Sequence, residues 1–424
     1  MTDALARRLG LGDAVVIGLG SMIGAGVFAA FAPAARAAGT GLLLGLVVAA
    51  VVAFCNATSS AQLAAQYPTS GGTYVYGRER LGPWWGFAAG WAFVVGKTAS
   101  CAAMALTSAT YVAPDRWWLQ RSLAVTAVVA LAGLNLRGIT RTAAVTRVIV
   151  TVVLTCLATT AVGLLVAGDL DPIRLGGAGA LTSAGGYRIL QSAGLLFFAF
   201  AGYARIATLG EEVRDPARTI PRAVVLALGV TVAVYAVLAV LALLAAGPDR
   251  LAATSAPLAA AVDAAGVESL TPVVRAGAVL ASLGALLALM TGIGRTTLAM
   301  ARERDLPGWL AAVDARHRVP RRAEVTLAVV VGVLVVTTDL RGVIGFSSLG
   351  VLVYYAVANL AAIMQGPADR RWPRAVQVLG LAGCVTLAAT LPVASLVAGV
   401  GVLVVGLAGR AVAHRRWRPP PPCV

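Results

Sequence analysis

Apolar runs of about 20 residues, the length that an α-helix needs to cross a bilayer, recur along the whole of this chain. Only 12% of its 424 residues are charged, whereas a soluble domain carries about 25%. Backbone groups inside a bilayer must be hydrogen-bonded within the protein, so each run predicts a helix. The chain is therefore predicted to be an all-α polytopic membrane protein.

Twelve such runs are predicted to be spans. Their approximate bounds are 14–35, 41–64, 85–112, 121–136, 145–167, 189–210, 222–246, 272–299, 324–338, 343–364, 374–391 and 393–410. The ninth span is short, and the last two are separated mainly by Pro392.

The basic residues predict the orientation. If the N-terminus is cytoplasmic, 23 of the 34 Lys and Arg fall in inside segments, eight fall outside, and Lys97, Arg205 and Arg295 lie within spans. A basic excess marks the cytoplasmic side. We therefore expect a multi-pass protein of the plasma membrane with both termini cytoplasmic. The same distribution accounts for the net charge of +16 without a nucleic-acid partner, and favours contact with anionic lipids.

Enzyme and metal chemistry find little support in the composition. The five cysteines form no CxxC pair, and both histidines, His317 and His414, lie in polar segments. No metal site, cofactor or catalytic cluster is predicted from them. No Walker motif is present, so ATP-driven transport is not expected either.

The first span carries an unusual stretch, Gly18–Phe28, with four glycines in nine residues. Each glycine costs a helix about 1 kcal/mol against alanine. A helix that opens at membrane depth exposes backbone groups, which is tolerated only beside protein, water or a substrate. The alternative is close helix packing, because Gly20 and Gly24 also have the GxxxG spacing.

The sixth span has a matching feature, since Gly202 lies mid-span with Arg205 three residues on. Spans one and six would each open a half of five spans, and five is odd, so the halves would have opposite orientations. Inverted repeats with broken first helices point to a substrate site at the midplane. Freed N–H groups near Gly24 and Gly26 suit a carboxylate, and freed carbonyls at 198–201 suit an ammonium group. The pair predicts a zwitterionic substrate.

Several motifs then carry a resemblance to a known family. They are Gly20–Phe28, Tyr67–Tyr76, Phe197–Gly202 followed by Glu211–Arg222, and Ala299–Arg302 with Leu306-Pro307. The chain resembles the amino acid–polyamine–organocation permeases, most closely the bacterial relatives of the cationic amino acid transporters. The resemblance implies a LeuT-type fold, a 5+5 inverted repeat with broken spans one and six plus two extra C-terminal spans.

The resemblance also divides the chain. It implies a cytoplasmic N-terminus at 1–13, a first repeat at 14–167, an extracellular loop at 168–188, a second repeat at 189–364, spans eleven and twelve at 365–410, and a cytoplasmic tail at 411–424.

Site residues follow by position from the same resemblance. It implies that the substrate carboxylate is bound by Ile23, Gly24, Ala25 and Gly26, and the amino group by the second segment, Phe198, Ala199, Ala201 and Gly202. Phe200 or Tyr203 could form an aromatic gate; the alternative for both is ordinary core or lipid contact.

Three departures from the family pattern concern charge. Relatives often have Gly-Phe-Asp after the sixth-span break, where this chain has Gly202-Tyr203-Ala204 and then Arg205. Some proton-coupled relatives carry a span-five lysine where this chain has Leu154. The single lysine, Lys97, lies in span three instead and could lie near the space that a sodium ion fills in sodium-coupled relatives.

Lys97 is the candidate for proton coupling, because an ionisable residue at membrane depth is functional by default and a buried ammonium can titrate. Its alternative role is structural, a hydrogen bond to carbonyls at a helix break or snorkelling to the surface. Arg205 is the selectivity candidate, since it could repel cationic side chains at the inner mouth of the site and so favour neutral or acidic amino acids. Its alternative is an ion pair with Glu211, Glu212 or a loop acid.

These features predict a secondary-active amino acid transporter that works by alternating access, by proton symport or by exchange, as a monomer or homodimer and without a cofactor. An amino acid or polyamine sensor and a polyamine or organocation transporter are the alternatives. The sequence leaves the amino acid, the coupling ion and the direction of transport open.

Overall fold

The computed structural model describes residues 9–69, 71–137, 143–314, 316–317 and 319–416. Most of the predicted N-terminal segment, Ser70 of the Tyr67–Tyr76 motif and the end of the predicted tail lie outside these residues. Within the described ranges the chain is helical, and β-pairing is limited to one isolated bridge between Leu9 and Val213.

The described residues form eighteen α-helices joined by short 3₁₀ turns and loops. They are α1 (Leu11–Met22), α2 (Ala25–Ala29), α3 (Phe31–Ala38), α4 (Leu42–Gln66), α5 (Thr73–Leu81), α6 (Pro83–Val112), α7 (Trp117–Leu136), α8 (Ala143–Ala167), α9 (Gly177–Ala180), α10 (Gly185–Phe200), α11 (Ala204–Ala207), α12 (Pro216–Ala253), α13 (Pro257–Ala264), α14 (Thr271–Arg302), α15 (Arg321–Thr337), α16 (Leu340–Ile363), α17 (Arg374–Thr390) and α18 (Val393–Arg416).

Ten helical segments of the described chain are long and apolar enough to cross a membrane. They coincide with ten of the twelve predicted spans, so the chain is a multi-pass helical membrane protein. The other two predicted spans correspond to α15 and α17, which have 17 residues each. That is shorter than the roughly 20 residues of a typical span.

The helix of span one is broken inside the glycine stretch. α1 ends at Met22, and α2 begins at Ala25. Between them Ile23 (φ −82°, ψ 63°) and Gly24 (φ −107°, ψ −130°) leave the helical region. Span six changes less: α10 ends at Phe200 and passes through a 3₁₀ turn, Ala201–Tyr203, into α11. The helix of span one is therefore unwound at Ile23–Gly24, whereas span six only changes from an α-helix to a 3₁₀ turn.

The two interrupted segments run antiparallel and in contact. From the face at which α1 begins, here called the N-face, the neighbouring pairs are Gly18 with Ile206, Ser21 with Gly202, and Gly26 with Ala199. Residue numbers increase along one segment and decrease along the other, so the segments are antiparallel. The two breaks therefore lie beside each other in the middle of the bundle.

The surrounding helices enclose this pair. α12 packs against α1 and α4, and α6 packs against α14 and α16. α12 kinks at Gly247, whose φ of 70° favours glycine. The predicted loop at 168–188 contains a 3₁₀ turn at Pro172–Leu175, the one-turn α9 and the first turn of α10, which begins at Gly185.

Candidate functional site

The glycines of both breaks allow backbone to approach backbone. A Cβ built on Gly26 would lie 2.6 Å from the Ala199 Cα, and one on Gly202 would lie 2.3 Å from the Ser21 carbonyl carbon and oxygen. Real Cβ atoms do not come this close, so no larger residue fits without a shift. Close packing, the alternative explanation of the glycines, therefore holds for Gly26 and Gly202, alongside the opening at Ile23–Gly24.

The opening itself is buried between α6 and α14. A Cβ on Gly24 would meet Ala285 at 2.8 Å and the Met104 methyl at 3.4 Å. The Ile23 N–H donates to the Leu19 carbonyl (2.7 Å), and the Gly24 N–H donates to the Met22 carbonyl (2.9 Å). Two of the four predicted carboxylate donors are thus already used within the chain.

The N–H groups of Ala25 and Gly26 differ from these two. They belong to the first turn of α2, where N–H groups have no partner within the helix. Both residues are buried. They are consequently the two predicted donors best placed to bind an anion.

Tyr235, on α12, joins the two breaks. Its hydroxyl lies 2.7 Å from the Met22 carbonyl oxygen and 3.1 Å from that of Ala199, and only 1% of the residue is exposed. Sequence reasoning missed it, although a tyrosine within the apolar run of span seven was a visible signal. It supplies a donor to carbonyls on both interrupted segments.

Lys97 lies at the second break. Its Nζ donates to the Ala201 carbonyl at 3.0 Å, the Tyr355 hydroxyl donates to the same oxygen at 3.2 Å, and the residue is 5% exposed. The structural alternative for Lys97, a hydrogen bond to a carbonyl at a helix break, is therefore present. One carbonyl predicted to hold the substrate's amino group already holds a cationic group of the chain.

The predicted gate aromatics belong to a buried cluster. Tyr203 stacks on Tyr355 with ring centroids 4.8 Å apart, and Phe197 meets Tyr355 edge-on at 5.9 Å. Phe200 packs against Tyr235 at 5.2 Å. Phe200 and Tyr203 are fully buried, so their side chains take part in core packing. Phe198 is buried as well, with 7% exposed.

A cavity of about 620 Å³, including its part open to solvent, extends from the second break toward the N-face. Lys97, Ala201, Gly202 and Arg205 line it together, so the structure brings these four predicted residues to one space. Arg295 also lines it; the Arg295 side chain is 45% exposed, which puts it at the open end.

The two arginines that line this cavity have different partners. Arg205 Nη1 donates to the Thr208 hydroxyl at 3.3 Å. Arg295 forms the ion pair with Glu212, at 3.7 Å. Glu212, one of the alternative partners predicted for Arg205, therefore pairs with Arg295 of α14 instead.

Leu154 lies elsewhere. It lines a small crevice with Gly20, Ile23 and Ala281, between α1, α8 and α14. Lys97 lines the larger cavity. The two positions compared in the sequence therefore face different spaces.

A second large cavity lies on the opposite face of the bundle. Its volume is about 810 Å³, again including open solvent. Arg121, Arg341 and Asp339 are the charged residues that line it. Ala29, at the end of α2, reaches it from the first interrupted span, so one large space lies on each side of the breaks.

Two buried acids were also missed from the sequence. Glu324, on α15, is 3% exposed and lies 3.5 Å from the Asn135 amide. Asp305, after α14, accepts from Tyr74 at 2.8 Å and pairs with Arg410 at 2.8 Å. Burial first, and then the Asp305 hydrogen bond, raise the pKa of Tyr74 well above its ordinary value. Glu324 was recognisable as an acid at the start of an apolar run.

A helical bundle with broken helices in contact and a cavity on either side is of the transporter class. The amino acid permease family model matches residues 9–417. An uncharacterized transporter of Mycobacterium tuberculosis is 61% identical over 419 residues, 98% of this chain and 94% of the relative. The chain belongs to the amino acid permease family, and the family indicates a transporter and not an enzyme.

The names of two more distant relatives state a class of substrate. The branched-chain amino acid permease BcaP of Bacillus subtilis is 26% identical over 392 residues, 86% of this chain and 82% of the relative. Cationic amino acid transporter 7, chloroplastic, of Arabidopsis thaliana is 26% identical over 380 residues, 84% of this chain and 65% of the relative.

Proposed function

We propose that this permease is a secondary-active transporter that moves an amino acid across the plasma membrane by alternating access. The observation that carries the proposal is the contact between the two breaks, Gly26 against Ala199. It sets the first turn of α2, whose N–H groups have no partner within that helix, against the other segment. Family membership supports the same function.

The substrate zwitterion binds between the two segments. Ala25 and Gly26 donate to its carboxylate, and the Ile23–Gly24 opening frees them to do so. The carbonyls of Phe198, Ala199 and Ala201 accept from its ammonium group, with Gly202 keeping the segments close. Phe200, packed against Tyr235, and Tyr203, stacked on Tyr355, move as gates when the site opens.

The fold behind this mechanism is a 5+5 inverted repeat at 14–167 and 189–364, joined by the loop at 168–188. Spans eleven and twelve follow at 365–410, which makes twelve spans with α15 and α17 included. Segments 1–13 and 411–424 and the N-face are cytoplasmic, in keeping with the basic excess in those segments. The antiparallel course of the two broken segments supports the inversion.

Lys97 is the proposed coupling residue. Its ammonium donates to the Ala201 carbonyl, and loss of its proton would weaken this charge-assisted hydrogen bond, so that the substrate's ammonium group could take its place. Transport is then proton symport, or exchange in which Lys97 keeps its charge. The protein works as a monomer or homodimer.

The test is a thermal-shift screen of the full-length protein in detergent with the twenty amino acids and common polyamines. Uptake and exchange of each hit in proteoliposomes would follow. Stabilisation by an amino acid together with its exchange supports the proposal. Binding with neither uptake nor exchange would indicate a sensor, and hits confined to polyamines would indicate an organocation transporter.

A further inference from the structure

We propose that the substrate is an amino acid with an acidic side chain, whose carboxylate is bound by Arg205. This inference rests on the proposed transport function and names its substrate class. It differs from the substrates in the names of the cationic transporters among the relatives. It is therefore argued from the charged residues of this chain.

The first observation is the lining of the N-face cavity. Of the fourteen described residues around it, three are basic, Lys97, Arg205 and Arg295, and none is acidic. The carboxylate of Glu212 forms an ion pair with Arg295 at the open end. The inner part of the cavity is left with two positive groups and no compensating charge among its lining residues.

The second observation is the set of partners of those two groups. Lys97 donates to the Ala201 carbonyl, and Arg205 donates to the Thr208 hydroxyl. Within the described part of the chain, neither lies within 4.0 Å of a carboxylate. Charges removed from water require a counter-charge. A ligand carboxylate would supply one at the point where Arg205 enters the cavity.

The two buried acids described above, Glu324 and Asp305, do not line this cavity. Glu324 packs behind α14, where a Cβ on Gly294 would meet its Oε1 at 2.5 Å. It is not among the lining residues of the cavity. Its carboxylate is directed to Asn135 instead.

The lining of the cavity on the opposite face also carries net positive charge. Arg121 and Arg341 line it. Its one acid, Asp339, accepts from the Gly342 N–H at the start of α16. Arg341 and Arg36 both donate to the Ala252 carbonyl, a neutral group. A cleft whose lining charges are mostly of one sign concentrates ligands of the other sign, and both cavities carry more basic than acidic lining residues, so an anion is favoured at both entrances.

The decisive comparison is between an acid and its amide, because L-glutamate and L-glutamine have nearly the same shape and differ in charge. Binding is measured by calorimetry on the purified full-length protein, and exchange is measured in proteoliposomes. L-aspartate with L-asparagine, L-leucine and L-arginine complete the set. We expect glutamate or aspartate to bind at least about tenfold more tightly than its amide, as for a hydrogen bond to a charged group.

Arg205→Gln and Arg205→Lys test the residue itself. We expect Arg205→Gln to reduce the preference for the acid over its amide by about tenfold to a hundredfold. Arg205→Lys keeps the charge and should retain part of the preference. Arg275→Gln is the matched control, an exposed arginine on α14, and should keep the wild-type preference. The size-exclusion profile of each variant checks its folding.

The outcomes separate the two proposals. If neutral or cationic amino acids are exchanged and the acids do not bind, this inference is overturned while the proposed function stands. An unchanged preference for the acid in folded Arg205→Gln also overturns it. If none of the twenty amino acids is exchanged, the proposed function fails and this inference fails with it.

Discussion

Replacement of Gly202 by alanine is the sharpest test of the contact between the two breaks. The new Cβ would lie 2.3 Å from the carbonyl carbon and oxygen of Ser21 and 2.5 Å from the Met22 nitrogen, whereas ordinary contact begins at 3.4 Å. The two segments would therefore have to separate by about 1.1 Å, the difference between those distances. All three atoms are backbone, so no side-chain rotation relieves the overlap. Overpacking of this kind costs about 1–3 kcal/mol.

The matched control is Gly229→Ala. Gly229 lies on the exposed face of α12, and nothing lies within 4 Å of the Cβ that alanine would add there. Alanine favours a helix over glycine by about 1 kcal/mol, so this variant should be as stable as wild type or slightly more stable. If alanine brings a similar gain in helix stability at Gly202, this gain largely cancels when the two variants are compared. The two variants should therefore differ in stability by about the overpacking cost, 1–3 kcal/mol.

The assay is thermal unfolding of both variants in the same detergent, followed by amino acid exchange in proteoliposomes. We expect Gly202→Ala to unfold at a lower temperature than Gly229→Ala and to exchange more slowly, because the donors and acceptors of the proposed site move apart. Equal unfolding temperatures would refute the reasoning, since they would mean that the segments do not touch at Gly202.

Three further variants test other contacts. Tyr235→Phe removes the donor shared by two buried carbonyls and should cost about 1–3 kcal/mol in thermal unfolding, whereas the exposed Tyr187→Phe should cost nothing measurable. Asp305→Asn leaves the buried Arg410 without its carboxylate and should cost about 3–5 kcal/mol; equal unfolding of wild type and variant would contradict this. Lys97→Ala should make uptake independent of pH while exchange continues, and pH-dependent uptake by this variant would exclude Lys97 as the coupling residue.

The opening of span one was predictable because its cause is local. Glycine content lowers helix stability wherever the glycines lie, and the break falls at Ile23–Gly24, inside the glycine stretch. The second interruption was predictable only in position. Gly202 marked the place, but the chain keeps a 3₁₀ turn there, because the close contact with Ser21 holds the backbone compact.

Tertiary partners were not predictable in the same way. Tyr235 follows Met22 by 213 positions, and nothing in the spacing of either residue indicates that they meet. Glu212 shows the same limit: Arg205 is near it in sequence, but Arg295, on another helix, forms the ion pair with it. Ion pairs and hydrogen bonds between helices depend on how the helices pack, which local sequence does not encode.

The position of Lys97 links substrate binding to charge movement. A carbonyl oxygen has two lone pairs, and at Ala201 Lys97 and Tyr355 already donate to it, at 3.0 and 3.2 Å. On the proposed mechanism, a substrate ammonium that approaches this oxygen has to displace one of these donors. If it displaces Lys97, two positive groups lie close together in a buried site, which favours loss of a proton from one of them. Binding and deprotonation then depend on the same atom, in a chain whose single lysine is Lys97.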